Sequence, residues 1–375
     1  MTIGYDAKRA FLNNTGLGNY SRWLIKAMAV HYPGNTYTLY TPKTKENRHL
    51  ALLNKFPNTQ IVTPQGQLLS SLWRTKGIIK DLKKDGIELY HGLSHELPLG
   101  IKQSGVKSVL TVHDLIFIRF PQYYGLINRS IYRAKLKYAC KAADKIIAIS
   151  QKTKDDLVEL LQVDASKIEV VYQNCDRSFT LNQSDTQKTL VKKKYKLPKK
   201  YLLTVGTIEE RKNLLLLVKA LPHTKISMPL IVVGKPNPYL NQVKQFVNAN
   251  KLDSRVIFLH EVNFDELPAL YQLATAFVYP SRYEGFGIPI LEALNSGTPV
   301  IAAKGSCLEE AGGPDSLYID PDDEQELAKA INRVWSNPSL RQHMMMKGFD
   351  YAHNFDNDKL SAQLMNLYQN TLKHA

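Results

Sequence analysis

The chain has 375 residues, of which 44% are hydrophobic and 22% are charged, with 20 glycines and 18 prolines. This length and composition exclude a disordered chain and a single small domain, and no apolar run reaches the roughly 18 residues of a bilayer span. Three widely spaced cysteines, Cys140, Cys175 and Cys307, form neither a disulfide framework nor a zinc spacing, which predicts a cytoplasmic location.

The positive charge is concentrated in the first half of the chain. The formal net charge is +15, and residues 1–180 hold 26 Lys and Arg against 14 Asp and Glu. A basic half predicts an anionic partner, for which nucleic acid, an anionic membrane face and a phosphorylated lipid all qualify. A basic surface that is simply solvated explains the same charge, so composition alone leaves the partner open.

Apolar runs rich in Val, Ile and Leu alternate with longer amphipathic stretches. After a first strand at the N-terminus, such runs predict buried strands at 108–113, 145–150, 167–172, 201–205, 229–233, 256–259, 276–279 and 299–302. Helical patterns between them include 20–31, 213–221 and 241–250. This alternation predicts an α/β fold with doubly wound parallel sheets.

A change in composition marks the boundary between two halves. Residues 176–200 are polar and include a run of three lysines at 192–194, which is typical of a linker. We predict a Rossmann-like N-terminal domain over 1–178, a linker over 179–200 and a Rossmann-like C-terminal domain over 201–355. The amphipathic segment 356–375 predicts a final helix that packs back on the N-terminal domain.

The segment 276–292 carries the strongest chemical signal. A buried strand runs into the turn Glu284-Gly-Phe-Gly287, and a helix follows at Ile288-Pro289. The glycines allow close approach of a ligand, and free amides at the start of a helix attract an anion. Glu284 and Glu292 then suit hydroxyl groups on two parts of one elongated ligand. Helix capping by Glu284 and a surface position for Glu292 explain the same residues without a ligand.

Two further candidates follow predicted strands, at the sheet edge where open α/β folds bind ligands. Gly206 permits a turn after 201–205, and Arg211 with Lys212 forms a candidate diphosphate clamp or a solvated basic pair. His113-Asp114 follows 108–112 directly, and His91 ends a shorter strand in the same way. A hydrogen-bonded structural histidine explains each imidazole equally well.

Other motifs are weaker. The turn Thr15-Gly-Leu-Gly-Asn-Tyr20 enters a helix and suits a phosphate, but it lacks the third glycine of a dinucleotide fingerprint. Asp320-Pro-Asp322 and Asp356-Asn-Asp358 match the DxD pattern of metal-dependent sugar transferases, but both precede predicted helices, where capping explains them. No His/Cys cluster has metal spacing, so we expect no metal and no cofactor.

In chain order, the segments TGLGNY, TVHDLIFIRFP, IIAIS, TVGTIEERKNL, FVYPSRYEGFGIPILEALNSGTPVIA and LYIDPDDEQELAKAI resemble glycosyltransferase family 4, the retaining "glycosyl transferases group 1". The resemblance covers nearly the whole chain. It implies the GT-B fold, in which two Rossmann-like domains face each other and the active site lies in the cleft between them. It also implies an enzyme that uses a nucleotide-sugar.

The resemblance implies a role for each motif residue. Glu292 would bind the ribose, Glu284 the donor sugar, and Arg211 with Lys212 the diphosphate, while His113 would lie against the transferred sugar. Many relatives carry Arg where Thr207 stands, so Arg211 would supply that charge. The other donor-binding residues implied are Gly16, Leu17, Gly18, Gly206, Thr207, Gly285, Phe286, Gly287 and Ile288. The residues implied on the acceptor side are His91 and Asp114.

The implied reaction is metal-independent transfer with retention, in which cations and helix amides stabilise the departing diphosphate. TVHDL with GTIEERKNL resembles the mannosyltransferase-like branch of surface-polysaccharide assembly, so we expect GDP-mannose as donor, ahead of UDP-sugars. The expected acceptor is a glycan or lipid-linked glycan. The basic helix predicted at 128–145 then suits peripheral contact with an anionic membrane.

Three other readings compete with this one. A nucleotide-sugar epimerase shares the two-domain architecture but needs no acceptor. A starch- or glycogen-type phosphorylase needs a pyridoxal lysine and a far longer chain. A non-enzymatic nucleic-acid binder fits the charge, but neither interleaved aromatic residues nor a helix-turn-helix pattern supports it, so we expect no nucleic-acid partner.

Overall fold

Parallel strands form two separate sheets in a computed structural model of the chain, which describes residues 1–13, 15–44, 51, 53, 55–64, 72–225 and 227–373. Contacts divide the chain into two units, residues 1–173 with 355–375 and residues 174–354. All strand pairs described are parallel, which confirms the predicted doubly wound α/β class.

The first unit contains a seven-stranded sheet in the order β3-β2-β1-β4-β5-β6-β7. Its strands are β1 (Thr2–Asp6), β2 (Thr36–Tyr40), β3 (Thr59–Val62), β4 (Leu89–Gly92), β5 (Lys107–Val112), β6 (Lys145–Ala148) and β7 (Ile168–Val170). Helices cover both faces, so central strands such as β4 are buried along their whole length.

The second unit contains a six-stranded sheet in the order β10-β9-β8-β11-β12-β13. Its strands are β8 (Leu202–Val205), β9 (Leu230–Val233), β10 (Val256–Leu259), β11 (Ala276–Tyr279), β12 (Val300–Ala303) and β13 (Leu317–Ile319). Strands β8 and β11 are neighbours although 70 residues of chain separate them, because the strand order reverses at this point. Ligands of open α/β sheets bind beside such a reversal, at the carboxyl ends of the strands.

The helices of the first unit are α1 (Lys8–Leu12), α2 (Gly16–His31), α3 (Ile78–Lys84), α4 (Ile116–Arg119), α5 (Leu126–Ala142), α6 (Gln151–Leu161) and, after the second unit, α15 (Asn357–Lys373). Helix α15 buries an apolar face that includes Leu360, Leu364 and Tyr368. Its first residue is joined to α2, since Trp23 Nε1 donates to Asn357 Oδ1 at 2.7 Å. The final helix therefore belongs to the first unit.

The helices of the second unit are α7 (Asp185–Lys194), α8 (Leu214–Ala220), α9 (Tyr239–Ala249), α10 (Leu267–Leu273), α11 (Ile288–Asn295), α12 (Leu308–Gly312), α13 (Glu324–Ser336) and α14 (Pro338–Ala352).

Helix α7 occupies much of the predicted linker over 179–200, and the first unit ends at residue 173 rather than at 178. The Ser184 hydroxyl accepts from the amide of Gln187 and caps the helix. The run of three lysines lies in the last turn, where positive charge is favourable, and Lys194 pairs with Glu266 at 2.8 Å. The polar composition therefore reflects a capped surface helix instead of an extended connection.

Two further expectations can be compared with the described residues. Among them, no helix combines the length and hydropathy needed to cross a membrane. Cys140, Cys175 and Cys307 are all free thiols and all buried.

Candidate functional site

Glu284 lies at the centre of a charged cluster in the second unit. Its Oε1 accepts from Tyr279 Oη at 2.9 Å and Ser281 Oγ at 2.7 Å, and it lies 2.8 Å from Arg211 Nη1 and 3.0 Å from Lys212 Nζ. Burial by itself would raise the pKa of Glu284, but Lys212 and Arg211 lower it to about 2. The carboxylate is therefore charged at neutral pH and holds both cations beside it.

The turn that follows β8 positions the two cations. Asn213 adopts a left-handed conformation with φ of 59°, which Asn tolerates better than most residues, and its Nδ2 donates to Pro321 O at 2.7 Å. The guanidinium of Arg211 also pairs with Glu209 at 2.5 Å and donates to the carbonyl of Tyr283. Although burial opposes the charge, Glu284 and Glu209 raise the pKa of Arg211 above its usual range. Arg211 is thus a fixed, permanent cation.

Gly206 directly follows β8 and leaves room for the side chain of Lys212 beside it. Its φ of 148° disfavours any other residue, and a Cβ atom added there would lie 3.1 Å from Lys212 Cδ. Thr207, the next residue, is exposed. A substitution at Gly206 would therefore displace the lysine side chain.

Gly287, directly before helix α11, is a second glycine whose backbone conformation and close packing disfavour a side chain. Its φ is 126°, and a Cβ atom there would lie 3.1 Å from Leu308 and 3.2 Å from Ala311. The Phe286 side chain is buried, and Cys307 Sγ lies 3.0 Å from the carbonyl oxygens of both Glu284 and Phe286, so its single S–H is shared between them. The turn is held closely, and the first amides of α11 follow at Ile288.

Glu292 lies on α11, about one turn beyond Ile288, in surroundings unlike those of Glu284. The buried Tyr271 hydroxyl donates to Glu292 Oε2 at 2.8 Å. Burial raises the pKa of Glu292 to about 7, even though the bond from Tyr271 lowers it. The two carboxylates of the segment thus differ in protonation, since Glu284 is fully charged at neutral pH and Glu292 titrates there.

In the first unit, the glycine-rich turn forms the first turn of α2. Asn13 Oδ1 accepts from the amides of Thr15 at 2.8 Å and Gly18 at 3.2 Å, so it caps the helix in place of a Thr15 side chain. A Cβ atom on Gly18 would lie 1.9 Å from the Asn13 carbonyl oxygen, whereas one on Gly16 would meet nothing within 4 Å. Gly18 is therefore required by packing, and Gly16 leaves an open approach to the backbone. Leu17 between them is partly exposed.

His113 follows β5 and is almost fully buried. Its Nε2 lies 2.8 Å from Leu93 O, and the ring of Tyr20 packs edge-on against it with centroids 4.7 Å apart. Burial and the nearby His95 lower the pKa of His113 to about 3, so the imidazole is neutral and carries its proton on Nε2. The adjacent Asp114 accepts from the amide of Ile116 at 3.1 Å. The glycine-rich turn and the His-Asp pair are thus in contact through Tyr20.

His91 does not fit the acceptor-side role that its position in the sequence implied. Its side chain is fully buried, with Nδ1 2.7 Å from Tyr368 Oη and Nε2 2.8 Å from Thr111 Oγ1. Both ring nitrogens are occupied inside the core of the unit, and burial lowers the pKa of His91 to about 3. This histidine is structural because it joins β4 to β5 and to α15.

The structure also identifies residues that the sequence reasoning did not select. His95 has a φ of 61°, and its Nε2 accepts from the backbone amide of His113 at 2.7 Å. Tyr271 and Tyr279, which bond the two glutamates, lie in segments that look like ordinary core. Ser281, which also bonds Glu284, could have been found from the sequence, because it lies three residues earlier in the same loop.

The first DxD motif, Asp320-Pro-Asp322, is engaged in local structure. Asp320 Oδ1 accepts from the amide of Asp322, whose carboxylate pairs with Arg282 at 2.6 Å, while the following Asp323 caps α13. Over the ranges that the structure describes, no group of three or more His, Cys, Asp or Glu side chains is arranged to hold a metal ion.

Two family models match the chain. The model described as Glycosyltransferase Family 4 matches residues 15–178, and the model described as Glycosyl transferases group 1 matches residues 185–350. The first match contains the glycine-rich turn and His113, and the second contains the Glu284 cluster and Glu292.

Among curated proteins, the chain is similar to two O-antigen mannosyltransferases. It is 28% identical to O-antigen chain mannosyltransferase B of Escherichia coli over 374 residues, covering 95% of this chain and 96% of that protein. It is 33% identical to O-antigen chain mannosyltransferase RfbU of Salmonella typhimurium over 265 residues, covering 71% of this chain and 69% of that protein.

Solved structures resemble the chain over its whole length. A glycosyltransferase from Rickettsia africae superposes with a TM-score of 0.79 at 18% identity, covering 100% of this chain and 99% of that one. Alr3699/HepE of Anabaena, solved in complex with UDP and glucose, gives a TM-score of 0.75 at 18% identity, covering 99% and 100%. These likenesses confirm the predicted GT-B fold.

Proposed function

The chain belongs to glycosyltransferase family 4, and we propose that it transfers mannose from GDP-mannose to a glycan or lipid-linked glycan during surface-polysaccharide assembly. The names of the two O-antigen mannosyltransferases that it resembles support this donor and this pathway. The observation that carries the donor site is the gathering of Arg211 and Lys212 on Glu284 at the carboxyl ends of β8 and β11.

In this proposal, Arg211 and Lys212 receive the diphosphate of the donor. Both cations are held within 3.0 Å of one carboxylate and are already desolvated, so binding of phosphate requires little reorganisation. As the sugar–phosphate bond breaks, negative charge grows on the leaving diphosphate. Fixed cations and the N-terminal end of α11 stabilise that charge, which lowers the barrier without a metal.

The two glutamates have separate tasks. Glu284, charged and tied to Tyr279 and Ser281, accepts hydroxyl groups of the donor sugar, while Glu292 accepts the ribose hydroxyls. We assign His113 to the transferred sugar as a neutral hydrogen-bonding group, since its pKa lies near 3. Gly16 offers an unobstructed backbone to phosphate oxygens.

We propose that the reaction proceeds with retention and without a metal. Glu284 is held on the turn by Arg211 and Lys212, whereas Glu292 lies about one turn into α11 and is bonded to Tyr271. We assign the two carboxylates to different parts of the donor, and not to the paired roles that glycosidase carboxylates have around one anomeric carbon. The leaving phosphate would instead accept the proton of the attacking hydroxyl on the same face.

A thermal-shift panel of nucleotide-sugars and nucleoside diphosphates tests the donor assignment. GDP-mannose and GDP should raise the Tm with increasing occupancy, and UDP-sugars should raise it less. Product NMR should show the anomeric configuration of the donor, and EDTA should leave the rate unchanged. Stabilisation by UDP-sugars alone would disprove the donor, and an inverted product would disprove retention.

Helix α5 supplies a surface for contact with an anionic membrane on the cytoplasmic side. Leu126 and Ile127 are 70% and 76% exposed, and Ile131 and Tyr132 are each 48% exposed. The helix carries five basic residues and no acidic one: Arg129, Arg133, Lys135, Lys137 and Lys141. Exposed apolar side chains among cations are typical of helices that lie on anionic bilayers, and we assign the basic charge to this contact and not to nucleic acid.

Cosedimentation with vesicles containing anionic phospholipid tests this surface. Ile127→Glu should lower binding several-fold at low salt, because it removes apolar contact and adds repulsion. Leu190→Glu is the matched control, since Leu190 on α7 is also exposed, at 57%, beside a run of lysines. Equal losses in both variants would disprove the assignment to α5.

A further inference from the structure

A cavity of about 280 Å³ lies within the first unit, beside helix α5. One side is formed by Asp6, the last residue of β1, and by Arg74. Another is formed by Glu96, which follows β4, and by Lys135 and Tyr138 of α5. The cavity thus opens at the carboxyl ends of β1 and β4, which is the ligand-binding edge of a parallel sheet.

Four charged side chains form a continuous chain along the cavity. Arg74 Nη2 donates to Asp6 Oδ2 at 2.7 Å, and Arg74 Nη1 also pairs with Glu96. The other oxygen of Glu96 lies 3.2 Å from Lys135 Nζ. Asp6 is only 4% exposed and Arg74 only 16%, so the geometry of the pair is fixed.

These groups retain capacity for a ligand with hydroxyl groups. A carboxylate oxygen has two acceptor positions, and the lysine ammonium has three donors, of which Glu96 takes one. Two acidic and two basic residues line the cavity, so a neutral ligand meets no net formal charge there. The guanidinium of Arg74 is already bound by two carboxylates. The polar side therefore suits a neutral, hydroxylated ligand.

The remaining walls are aromatic and aliphatic. Tyr90 and Tyr138 contribute rings, and Leu97, Leu99 and Ala134 contribute aliphatic surface. Tyr138 is fixed by two bonds, since its hydroxyl donates to Pro98 O at 3.1 Å and accepts from Gly100 N at 2.9 Å. A pyranose ring presents hydroxyl groups at its edge and C–H groups on its faces, which matches a cavity with one polar and one apolar side. The volume is just below the range for small-molecule sites, which begins at about 300 Å³, so it suits a single sugar ring.

We propose that this cavity binds the acceptor, as a neutral pyranoside whose hydroxyl groups contact Glu96 and Lys135 and whose ring packs between Tyr138 and Ala134. The proposal rests on the proposed function, since it names the site on the first unit for the sugar that receives mannose. An isoprenoid chain is the less favourable occupant, because it offers no hydrogen bond to the remaining donors of Lys135 and acceptor positions of Glu96.

Saturation-transfer NMR with methyl α-D-mannopyranoside, recorded on the full chain with saturating GDP, tests the proposal. The wild-type chain should transfer saturation to the sugar. Ala134→Trp should abolish the signal, because the indole fills the cavity without removing a polar group. Ser130→Trp adds the same ring one turn earlier on α5, at an exposed residue outside the cavity, and should keep the signal.

Kinetics provide the second measurement. Glu96→Gln should raise the acceptor KM about tenfold, equivalent to about 1.4 kcal/mol, and should leave the KM for GDP-mannose unchanged. The proposal would be overturned if sugar signals persist in Ala134→Trp, or if Glu96→Gln leaves the acceptor KM unchanged. Polyprenyl phosphate serves as a second probe in the same NMR experiment. The proposal would also be overturned if Ala134→Trp loses only the polyprenyl phosphate signal. Failure of GDP-mannose to stabilise the wild-type chain would instead count against the donor assignment, so the two failures are distinguishable.

Discussion

The hydroxyl of Tyr271 donates a 2.8 Å hydrogen bond to Glu292, and this bond joins helix α10 to the carboxylate that we assign to the ribose. Tyr271 is fully buried, and both burial and Glu292 raise its pKa well above the ordinary value, so it remains a proton donor at every working pH. The bond therefore fixes one oxygen of Glu292 and leaves the other for a ligand.

Substitution of Glu292 by Gln should weaken GDP binding more than tenfold. The amide can still accept from Tyr271, but hydrogen bonds to a charged group are worth about 1.5–3 kcal/mol and would be lost. Isothermal titration with GDP measures the change. Glu261→Gln, at an exposed position of the same unit, is the control and should bind as the wild type does. Unchanged GDP affinity in Glu292→Gln would remove the residue from the donor site.

The affinity for GDP should depend on pH near neutrality. The carboxylate form of Glu292 accepts ribose hydroxyls, and its pKa is about 7. Below pH 7 the protonated form dominates, so the association constant should fall about tenfold per pH unit, and above pH 8 it should level off. Tyr271→Phe removes a bond that lowers this pKa, so the midpoint should move to higher pH. A midpoint that stays in place would show that another group titrates.

The same shift predicts a change in stability of the unliganded chain. The pKa of Glu292 is raised from 4.5 to about 7 on folding, so the stability that this group contributes is present below pH 4.5 and is lost as the pH rises through 7. Glu292→Gln cannot ionise and should have a higher Tm than the wild type at pH 8.5, with little difference at pH 5. Thermal unfolding at the two pH values measures this. A lower Tm at pH 8.5 would contradict the raised pKa.

Loss of one cation from the cluster should slow the reaction more than it weakens donor binding. Lys212→Met removes charge that is needed most when the diphosphate departs, and groups of this kind contribute about 10²–10³ in kcat. Lys225→Met, at an exposed lysine of the same unit, is the matched control and should keep the wild-type rate. A variant with normal kcat and a raised KM would show that Lys212 binds the ground state only.

Much of the fold was predictable because buried parallel strands read as unbroken apolar runs. All eight runs selected from the sequence overlap strands, and β9, β11 and β12 are buried along their whole length. Strands β2 (TYTLY) and β3 (TQIV) were missed because polar residues interrupt their hydrophobic pattern. Helix α7 was predicted to be a linker because its composition is polar. That composition reflects the surface position and the capping of the helix.

The site was predictable only where its residues lie close together in the sequence. Glu284, Gly287 and Glu292 share one strand–turn–helix segment, so spacing and residue type indicated them. Tyr271 reaches Glu292 from 21 residues away, and His95 holds His113 from 18 residues away. The order of the strands in the sheet brings such pairs together, and no local sequence pattern predicts that order. The sequence left the role of His91 open for the same reason, since its partner Tyr368 lies 277 residues further along the chain.

Alanine substitution of Gly18 and Gly16 should separate packing from ligand binding in the glycine-rich turn. Gly18→Ala would place Cβ 1.9 Å from the Asn13 carbonyl oxygen, and overpacking of this kind costs about 1–3 kcal/mol, so the Tm should fall by several degrees. Gly16→Ala meets nothing within 4 Å, and alanine is favoured over glycine in a helix by about 0.5–1 kcal/mol, so its Tm should equal or exceed that of the wild type.

If Gly16→Ala keeps the wild-type Tm, the variant isolates the effect of one methyl group at the start of α2. If donor phosphates approach this backbone closely, the variant should have a raised KM for GDP-mannose while its Tm is unaffected. Steady-state kinetics and thermal unfolding on the same preparation measure the two quantities. A stable Gly16→Ala chain with wild-type kinetics would show that the phosphates do not approach this turn, and the turn would then serve only to pack Tyr20 against His113.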